Sequence, residues 1–349
     1  MSSTLVGCAR PPAEEFDAAL LDLDGVVYRG PEPVEHAAEA IAAGRAAGMT
    51  AVFVTNNAAR PPGVVADQLT SLGVPAEPSD VMTSSLAAAA MLREQVPAGS
   101  RVLAVGGQGL HEALAAHGLE VVTRAGDSPV AVVQGFGPDV CWRDLAEAAY
   151  AIAAGARYLA TNLDATLPTE RGMAPGNGSL VAALVHATGV RPASAGKPGP
   201  EIFRQAAGTV SSRRPLVIGD RLDTDLAGAR AAGMVGLHVL TGVSGPHELL
   251  AAAPAERPHL LATDLRGILE PHPAPERGDD HAWRCSTGEV RVDGRGLVVR
   301  RADGEHRLDA LDEVTLDELR AACAAAWDSA DAGTPVDVAS STPLRVRDA

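Results

Sequence analysis

Two acidic segments each place carboxylates directly after an apolar run: residues 20–25 (LLDLDG) and residues 215–225 (PLVIGDRLDTD). Residues i and i+2 of a strand point to one face, so Asp22 and Asp24 are expected to emerge together at the carboxyl edge of a sheet. Open α/β sheets bind their ligands at that edge. Two like charges this close are costly unless a cation or a proton lies between them. The first segment therefore predicts an ion site or an acid–base pair.

The second segment carries three acids, Asp220, Asp223 and Asp225. Asp223 fits the N-cap of a following helix, which is an ordinary structural use of aspartate. Asp220, at the strand end, and Asp225 better fit a site for Mg²⁺, which prefers a few carboxylate and carbonyl oxygens. Because both segments follow buried strands, Asp220 and Asp22 are expected to meet at one sheet edge.

Thr55, Asn56 and Asn57 end a third apolar run, residues 50–54. A hydroxyl group and backbone N–H groups at a strand end can bind an anion, although such a turn alone is a weak signal.

The basic residues comprise 28 arginines and one lysine, Lys197, which lies in the sequence Ala195-Gly196-Lys197-Pro198. A lone lysine is usually a solvated surface residue. In a chain that otherwise uses arginine, its retention favours a position that needs a compact ammonium group, which a planar guanidinium cannot replace. The segment is not a P-loop, since Pro198 stands where serine or threonine is required.

Composition excludes several classes of protein. Of 349 residues, 46% are hydrophobic and 3% aromatic, and the net charge is −15. The apolar content supports folded cores and excludes wholesale disorder. The acidic balance and the scarcity of aromatic side chains argue against a nucleic acid or an anionic membrane as partner.

The cysteines are scattered, with no CxxC pair: Cys8, Cys141, Cys285 and Cys323. Such spacing indicates reduced thiols and a cytoplasmic protein. The chain has no apolar stretch of about 18 residues, so no membrane-spanning helix is expected.

Apolar strands alternate with amphipathic helices through most of the chain, which predicts a parallel sheet covered by helices. The main expected elements are strands at 20–25, 50–54, 215–218 and 235–240, helices at 32–47, 79–94 and 316–326, and a hairpin at 283–301 turning at Asp293-Gly294. A second set of strands and helices over 100–190 indicates an α/β domain inserted into an α/β core. Residues 270–280 have the proline-rich, charged composition of a linker.

The order of these motifs resembles that of the haloacid dehalogenase (HAD) superfamily of phosphatases. They are Asp-x-Asp-Gly, a strand-end Thr, an isolated Lys and Gly-Asp-x₄-Asp. The sequences of the motifs are most similar to those of the class IIA branch, which contains 4-nitrophenyl phosphatases, phosphoglycolate and glycerol-3-phosphate phosphatases, and NagD-type nucleotidases. The resemblance covers roughly residues 16–268, the length required for a core and a cap.

The resemblance implies a role for each matching residue. Asp22 would be the nucleophile that becomes a phosphoaspartate, Asp24 the general acid and base, and Lys197 the cation that screens the phosphate from Asp22. Mg²⁺ would be bound by Asp22, the Asp24 carbonyl and Asp220, with Asp225 in support. A carboxylate nucleophile splits one difficult hydrolysis into two steps, and phosphoryl transfer needs mainly alignment and charge neutralisation.

Thr55, Asn56 and Asn57 would bind the phosphoryl group. In the cap, Asn162 and Asp164 lie in a segment that faces the active site in this family and are expected to contact substrate. Residues 175–179 (PGNGS) match a second such segment. A cap that closes over the site contacts the leaving group, so the cap is expected to determine substrate specificity.

The expected fold is therefore a Rossmann-like α/β HAD core with a parallel sheet, an inserted α/β C2-type cap and a small C-terminal α+β appendage. The predicted bounds are 1–96 and 191–270 for the core, 97–190 for the cap and 271–349 for the linker and appendage. A homodimer through the cap or the appendage is left open.

The expected activity is Mg²⁺-dependent hydrolysis of a small phosphorylated metabolite, with glycerol 3-phosphate as the first candidate. Phosphoglycolate, nucleotides and sugar phosphates are alternatives within the family. A receiver-like signalling module, phosphorylated on aspartate and not turned over, is an alternative of another class. A third is a regulatory protein whose acidic tail is the functional part. The long insert between Thr55 and Lys197 and the second aspartate at position 24 argue against the receiver.

Overall fold

A computed structural model of the chain describes residues 4–169, 171–338 and 344–348. Its helices are α1 Pro12–Glu15, α2 Ala37–Ala46, α3 Pro62–Ser71, α4 Ser84–Arg93, α5 Gln108–Ala116, α6 Trp142–Ala153, α7 Asn177–Thr188, α8 Glu201–Thr209, α9 Ala227–Ala232, α10 Pro246–Leu250 and α11 Leu316–Asp331. In the described residues, no helix is both long and apolar enough to cross a bilayer.

The strands are β1 Ala18–Leu21, β2 Tyr28–Arg29, β3 Glu32–Pro33, β4 Thr50–Thr55, β5 Val81–Thr83, β6 Arg101–Val105, β7 Glu120–Val122, β8 Ala131–Gln134, β9 Arg157–Ala160, β10 Thr166–Thr169, β11 Gly172–Pro175, β12 Ala193–Ser194, β13 Pro215–Gly219, β14 Val235–Val239, β15 Leu260–Ala262, β16 Glu276–Arg277, β17 Trp283–Cys285, β18 Gly288–Asp293, β19 Gly296–Arg301, β20 Gly304–Arg307, β21 Glu313–Thr315 and β22 Arg345–Arg347.

The chain forms two compact units, one made of Met1–Ala51 and Val210–Ala349 and the other of Val52–Thr209. In the first unit, β15, β14, β13 and β1 lie side by side in that order. All are parallel, and Leu21 pairs with Ile218, Ile218 with Leu237, and Leu237 with Leu260. Every residue of β1 is buried, which explains its uninterrupted apolar sequence.

The first predicted strand is shorter than expected and ends at Leu21. The chain turns directly afterwards, because the Leu23 carbonyl accepts hydrogen bonds from the Val27 and Tyr28 amides at 2.9 and 3.1 Å. Gly25 sits in the turn with φ +84°, a conformation that other residues rarely adopt. The prediction that Asp24 lies within the strand was therefore wrong, and Asp24 belongs to the turn.

Two predicted helices begin later than expected. The helix placed at Glu32 starts at Ala37, after the short hairpin formed by β2 and β3. Glu32 precedes Pro33, and a residue before proline disfavours the helical conformation. The helix placed at Ser79 starts at Ser84, since residues 81–83 form β5 and pair with β4. Its N-cap is Thr83, whose hydroxyl accepts from the Leu86 amide at 3.2 Å.

The C-terminal region of the first unit is an antiparallel sheet, β16 to β20 in sequential order, with α11 packed against β17, β18 and β19. The predicted turn at Asp293-Gly294 is confirmed, since Asp293 pairs with Gly296, but residues 283–301 form three antiparallel strands, β17 to β19, where one hairpin was expected. The predicted helix is also confirmed and is longer than expected, since α11 runs to Asp331. We call residues 271–348 of this region the appendage.

The second unit contains a five-stranded parallel sheet in the order β12, β9, β8, β6, β7, together with the antiparallel pair of β10 and β11. Its strands are separated by helices, as the alternating pattern predicted. The polar segments that follow β4, β9 and β12 carry the predicted phosphate-binding and cap residues.

Candidate active site

Three carboxylates of the first unit converge beyond the ends of β1 and β13. Asp22, Asp220 and Asp225 each offer a carboxylate oxygen, and these oxygens all lie within 4.8 Å of one another. We call these three residues the carboxylate cluster. Asp22 keeps the register of β1, because its amide donates to the Ile218 carbonyl at 2.9 Å. Sequence spacing predicted that these two strand ends meet, and the structure brings Asp22 and Asp220 together as expected.

The carboxylate cluster is largely buried: Asp220 is 0% exposed and Asp225 is 1% exposed. Glycines allow the close approach of the backbone to these carboxylates. A Cβ at Gly242 would lie 1.8 Å from Asp220 Oδ2, and one at Gly219 would lie 2.2 Å from Asp225 Cβ. Side chains at either position would displace the carboxylates.

The loop after β14 holds Asp220 in place. The Val243 amide donates to Asp220 Oδ2 at 2.7 Å, and the Ser244 amide donates to the Asp220 carbonyl at 3.0 Å. His238 in turn hydrogen-bonds the Ser244 carbonyl through Nε2 at 2.9 Å. Burial lowers the pKa of His238 to about 4, so this ring is neutral and donates from Nε2 at physiological pH. The sequence did not predict that this loop belongs to the site. Its only signal was the pair of glycines in Thr241-Gly242-Val243-Ser244-Gly245.

The chemistry of the carboxylate cluster fits a hard divalent cation. Three carboxylates within a few ångströms repel one another, and buried charges of one sign are stable only when a cation or protons compensate them. Oxygen donors in this number are what Mg²⁺ takes from proteins. Asp225, which was expected to support the site, contributes an oxygen that lies within the same 4.8 Å limit. It also accepts a hydrogen bond from the Arg221 amide at 3.2 Å.

Asp223 lies outside this cluster. Its carboxylate is 58% exposed and pairs with the Arg221 guanidinium at 2.8 Å. The interpretation of this residue as an N-cap was wrong: Arg221 occupies the cap of the π-helical segment Leu222–Leu226, and Asp223 lies in its first turn. Asp24 is exposed and lies in the turn after β1, where it forms an isolated bridge with Tyr28.

A second group of predicted site residues lies in the second unit, at the end of β4. Thr55 is 6% exposed, and its hydroxyl accepts from the Asn57 amide at 3.1 Å. Asn57 Oδ1 accepts from the Ala59 and Arg60 amides at 3.0 and 3.3 Å. The Asn57 side chain therefore closes the turn, which is a common use of asparagine after a strand.

The Asn56 side chain binds Lys197 and Asp164. Its Oδ1 accepts from the Lys197 amide at 2.8 Å, and its Nδ2 donates to the Lys197 carbonyl at 3.2 Å. The same Nδ2 donates to both Asp164 oxygens at 3.3 and 3.2 Å. Lys197 itself is 3% exposed, which excludes the surface-lysine interpretation.

The main chain of Asn56 is bound from two further directions. Asn162 Nδ2 donates to the Asn56 carbonyl at 2.8 Å, and Ser84 Oγ donates to the same carbonyl at 2.7 Å. The structure therefore brings Asn56, Asn162, Asp164 and Lys197 together, and we call these four residues the amide cluster. Ser84 was missed, because a serine at a helix start has an ordinary capping use that conceals such a contact.

Two family models match separate parts of the sequence. One describes haloacid dehalogenase-like hydrolases and covers residues 19–120, and the other describes HAD-hydrolase-like proteins and covers residues 194–268. A D-glycerol 3-phosphate phosphatase of Mycobacterium tuberculosis is 43% identical over 318 residues, which is 91% of this chain and 87% of that protein. The chain belongs to the haloacid dehalogenase-like hydrolases. The prediction of the family and of a phosphatase is confirmed.

Other members of this HAD family resemble the chain over a shorter part of it. A 5'-nucleotidase of Bacillus subtilis is 39% identical over 231 residues, which is 66% of this chain and 89% of that protein.

Among solved structures, the glycerol phosphate phosphatase of M. tuberculosis in complex with magnesium has a TM-score of 0.81 and 40% identity. That match covers 97% of this chain and 95% of the other, so it includes most of the appendage.

Proposed function

We propose that this HAD phosphatase is an Mg²⁺-dependent phosphomonoester hydrolase that acts through a phosphoaspartate on Asp22. The carboxylate cluster is the observation that carries the proposal, because it combines the predicted nucleophile with two buried acids that require a cation. Asp22, Asp220 and Asp225 would hold Mg²⁺, together with the main chain of Asp24. When bound, the ion neutralises charge on the carboxylates and on the phosphoryl oxygens.

The protein groups then divide the reaction into two steps. An Asp22 oxygen attacks phosphorus and displaces the alkoxide, which Asp24 protonates. In the second step Asp24, now a carboxylate, takes a proton from water, and the water oxygen attacks phosphorus and releases Asp22 and inorganic phosphate. Asp24 lies in an exposed turn, where it can exchange protons with solvent between the steps.

The amide cluster is assigned to binding of the phosphate and of the leaving group. The ammonium of Lys197 supplies positive charge against the phosphoryl oxygens. The backbone amide of Asn56 and the hydroxyl of Thr55 are proposed donors to those oxygens. Asp164 is half-buried, and its carboxylate can accept hydrogen bonds from hydroxyl groups of a leaving group.

Glycerol 3-phosphate is the proposed substrate. The relative named for this activity resembles the chain over 91% of its length, whereas the nucleotidase and the acid sugar phosphatases of Staphylococcus match 66 to 68% of it. Hydroxyl groups on the leaving group also suit the Asp164 carboxylate. A panel of kcat/KM values over glycerol 3-phosphate, phosphoglycolate, a sugar phosphate and a nucleotide decides between them. A higher value for any of the other three would overturn this choice.

The proposed domain bounds are those predicted from the sequence, with residues 97–190 as the cap. Strands β6 to β9 lie within these bounds, and β12, which pairs with β9, lies just beyond them at Ala193–Ser194. We further propose a cytoplasmic protein, since Cys8, Cys141, Cys285 and Cys323 are all free thiols. A homodimer remains a prediction, and sedimentation velocity would test it.

Replacement of Asp22 tests the reaction directly. With Mg²⁺, the enzyme should release phosphate from 4-nitrophenyl phosphate over many turnovers, and EDTA should stop the release. Asp22→Asn removes the nucleophile and one ligand, so kcat should fall by roughly 10³-fold or more. Asp223→Asn is the matched control, because this exposed acid lies outside the carboxylate cluster, and its kcat should stay within about threefold of the wild type. A single stoichiometric burst would instead favour the receiver-like module.

A further inference from the structure

Asn177 is a buried polar residue to which the proposed reaction assigns no role. It is the first residue of α7 and is 1% exposed. Its Oδ1 has no protein partner among the described residues, so the contacts of its Nδ2 donor indicate what this side chain does. Asn177 Nδ2 donates to the Asn162 carbonyl at 2.8 Å and to the Gln134 carbonyl at 3.3 Å.

The glycines that flank Asn177 let α7 begin against the segment that carries Asn162 and Asp164. The Gly178 amide donates to the Asp164 carbonyl at 2.9 Å. A Cβ at Gly176 would lie 2.3 Å from the Asp164 carbonyl oxygen, and one at Gly178 would lie 2.2 Å from the Leu163 carbonyl oxygen. The Gly-Asn-Gly sequence therefore places the Asn177 amide directly on this segment.

Asn162 passes this constraint on to Asn56 and Asp164. Asn162 is 5% exposed, its Nδ2 donates to the Asn56 carbonyl at 2.8 Å, and its Oδ1 accepts from the Asp164 amide at 3.2 Å. Asn56 then binds both main-chain groups of Lys197 through its side chain. A continuous series of hydrogen bonds therefore runs from Asn177 through Asn162 and Asn56 to Lys197.

We propose that Asn177 is a positioning residue for the phosphatase reaction: it fixes Asn162, and through it the Asn56 main chain and Lys197. Asn177 touches none of the proposed reacting groups. Its effect falls on the Asn56 amide and the Lys197 ammonium, which are proposed to bind the phosphoryl group. The expected effect of Asn177 on catalysis rests on the proposed function. Its effect on the position of Asn162 and Asn56 rests on the hydrogen bonds alone.

The variant Asn177→Ala removes both hydrogen bonds. Alanine has a higher helix propensity than asparagine, so α7 is not weakened by the replacement residue itself. A displacement of catalytic groups by about 1 Å costs up to about 10²-fold in rate. We expect kcat for 4-nitrophenyl phosphate with Mg²⁺ to fall by about 10- to 100-fold, with a smaller change in KM. Asn177→Ser keeps one hydroxyl donor and should recover part of the loss.

Gln108→Ala is the matched control. Gln108 is the first residue of α5 in the same unit, is exposed, and bonds only its own helix through Glu112 among the described contacts of its side chain. Its kcat should stay within about threefold of the wild type. Hydrogen exchange supplies a readout that does not depend on turnover. In Asn177→Ala, amides in 55–57 and 161–164 should exchange faster, while those in the middle of α7 should not.

An unchanged kcat in Asn177→Ala would overturn the proposal, as would a loss of kcat with faster exchange throughout α7, which would show a merely structural role. If the wild type itself released no phosphate, the proposed function would fail. The exchange of 55–57 and 161–164 would then still decide whether Asn177 fixes these segments.

Discussion

Lys197 illustrates what a single residue contributes to this enzyme. It is the one lysine of the chain and is 3% exposed. A Cβ at the preceding residue, Gly196, would lie 2.5 Å from the Thr161 carbonyl oxygen, so the backbone approaches this segment as closely as a glycine permits. The composition argument for a specific ammonium is therefore supported by burial and by close packing.

Lys197→Arg keeps the positive charge and should still lower kcat/KM for 4-nitrophenyl phosphate by roughly 10²-fold. The longer, planar guanidinium cannot take the place of a compact ammonium in a tightly packed site. Steady-state kinetics with Mg²⁺ measures this effect. Arg204→Lys is the converse control, since Arg204 is 49% exposed, and it should have wild-type kinetics. A Lys197→Arg enzyme with full activity would show that only the charge matters.

The partners of the Asn56 side chain could not be predicted from residue type. The sequence predicted a phosphate contact at the end of β4, and the backbone amide of Asn56 keeps that proposed role. The side chain is instead engaged with Lys197 and Asp164, which lie 141 and 108 positions away in the chain. Residue type shows that an amide can donate and accept, but only the folded chain decides which partners reach it.

At the scale of elements, the appendage is part of a core of the first unit. α11 carries Trp327, which is 1% exposed and donates from Nε1 to the Leu249 carbonyl at 2.8 Å. The same apolar cluster includes Leu222 and Leu226, at the two ends of the turn that carries Asp225. Deletion of residues 271–349 would thus expose this core and destabilise the first unit. A deletion variant therefore cannot distinguish a regulatory role of the tail from its role in stability.

Trp327→Ala should lower the free energy of unfolding by about 3–5 kcal/mol, because it leaves a large cavity and removes a buried hydrogen bond to the Leu249 carbonyl. Urea unfolding followed by circular dichroism measures the change. Trp142→Ala makes the same chemical change at a residue that is 78% exposed, so it should stay within about 0.5 kcal/mol of the wild type. Equal effects in the two variants would contradict the packing described for α11.

Besides His238, two further buried histidines make the whole molecule sensitive to acid. Burial, with a lesser effect of the Arg230 cation, lowers the pKa of His259 to about 4. Burial, with the Arg320 cation nearby, lowers the pKa of His272 to about 4. Both rings are neutral in the folded protein, whereas an unfolded chain has histidines of pKa about 6.5. Below that value the unfolded state binds protons that the folded state does not.

Stability should therefore change little between about pH 6.5 and 8 and fall as the pH is lowered from about 6.5 towards 4. Each histidine contributes roughly 1.4 kcal/mol per unit of pKa difference. Thermal unfolding between pH 5 and 8 measures the slope. His259→Gln should flatten it, and His186→Gln, at an exposed position on α7, should not. A slope of the opposite sign, or none, would show that these rings are not held neutral.

The family, the class of reaction and the order of motifs were accessible from sequence. Acids after apolar strands are local patterns, and a parallel sheet brings strand ends to one edge regardless of what separates them in the chain. The ends of strands and helices were harder to predict. The end of β1 was placed too late because the turn at Gly25 depends on hydrogen bonds to the Leu23 carbonyl, which apolar periodicity does not reveal. The role of residues 271–349 was also out of reach.

The sequence by itself determined which side chains could bind a cation, attack phosphorus or donate to an anion, because those properties belong to residue type. Only the tertiary structure decided that the 242–244 loop holds Asp220 and that Asn177 connects through Asn162 to Lys197. These contacts join residues far apart in the chain. Their geometry depends on packing and backbone approach, which no short stretch of sequence encodes.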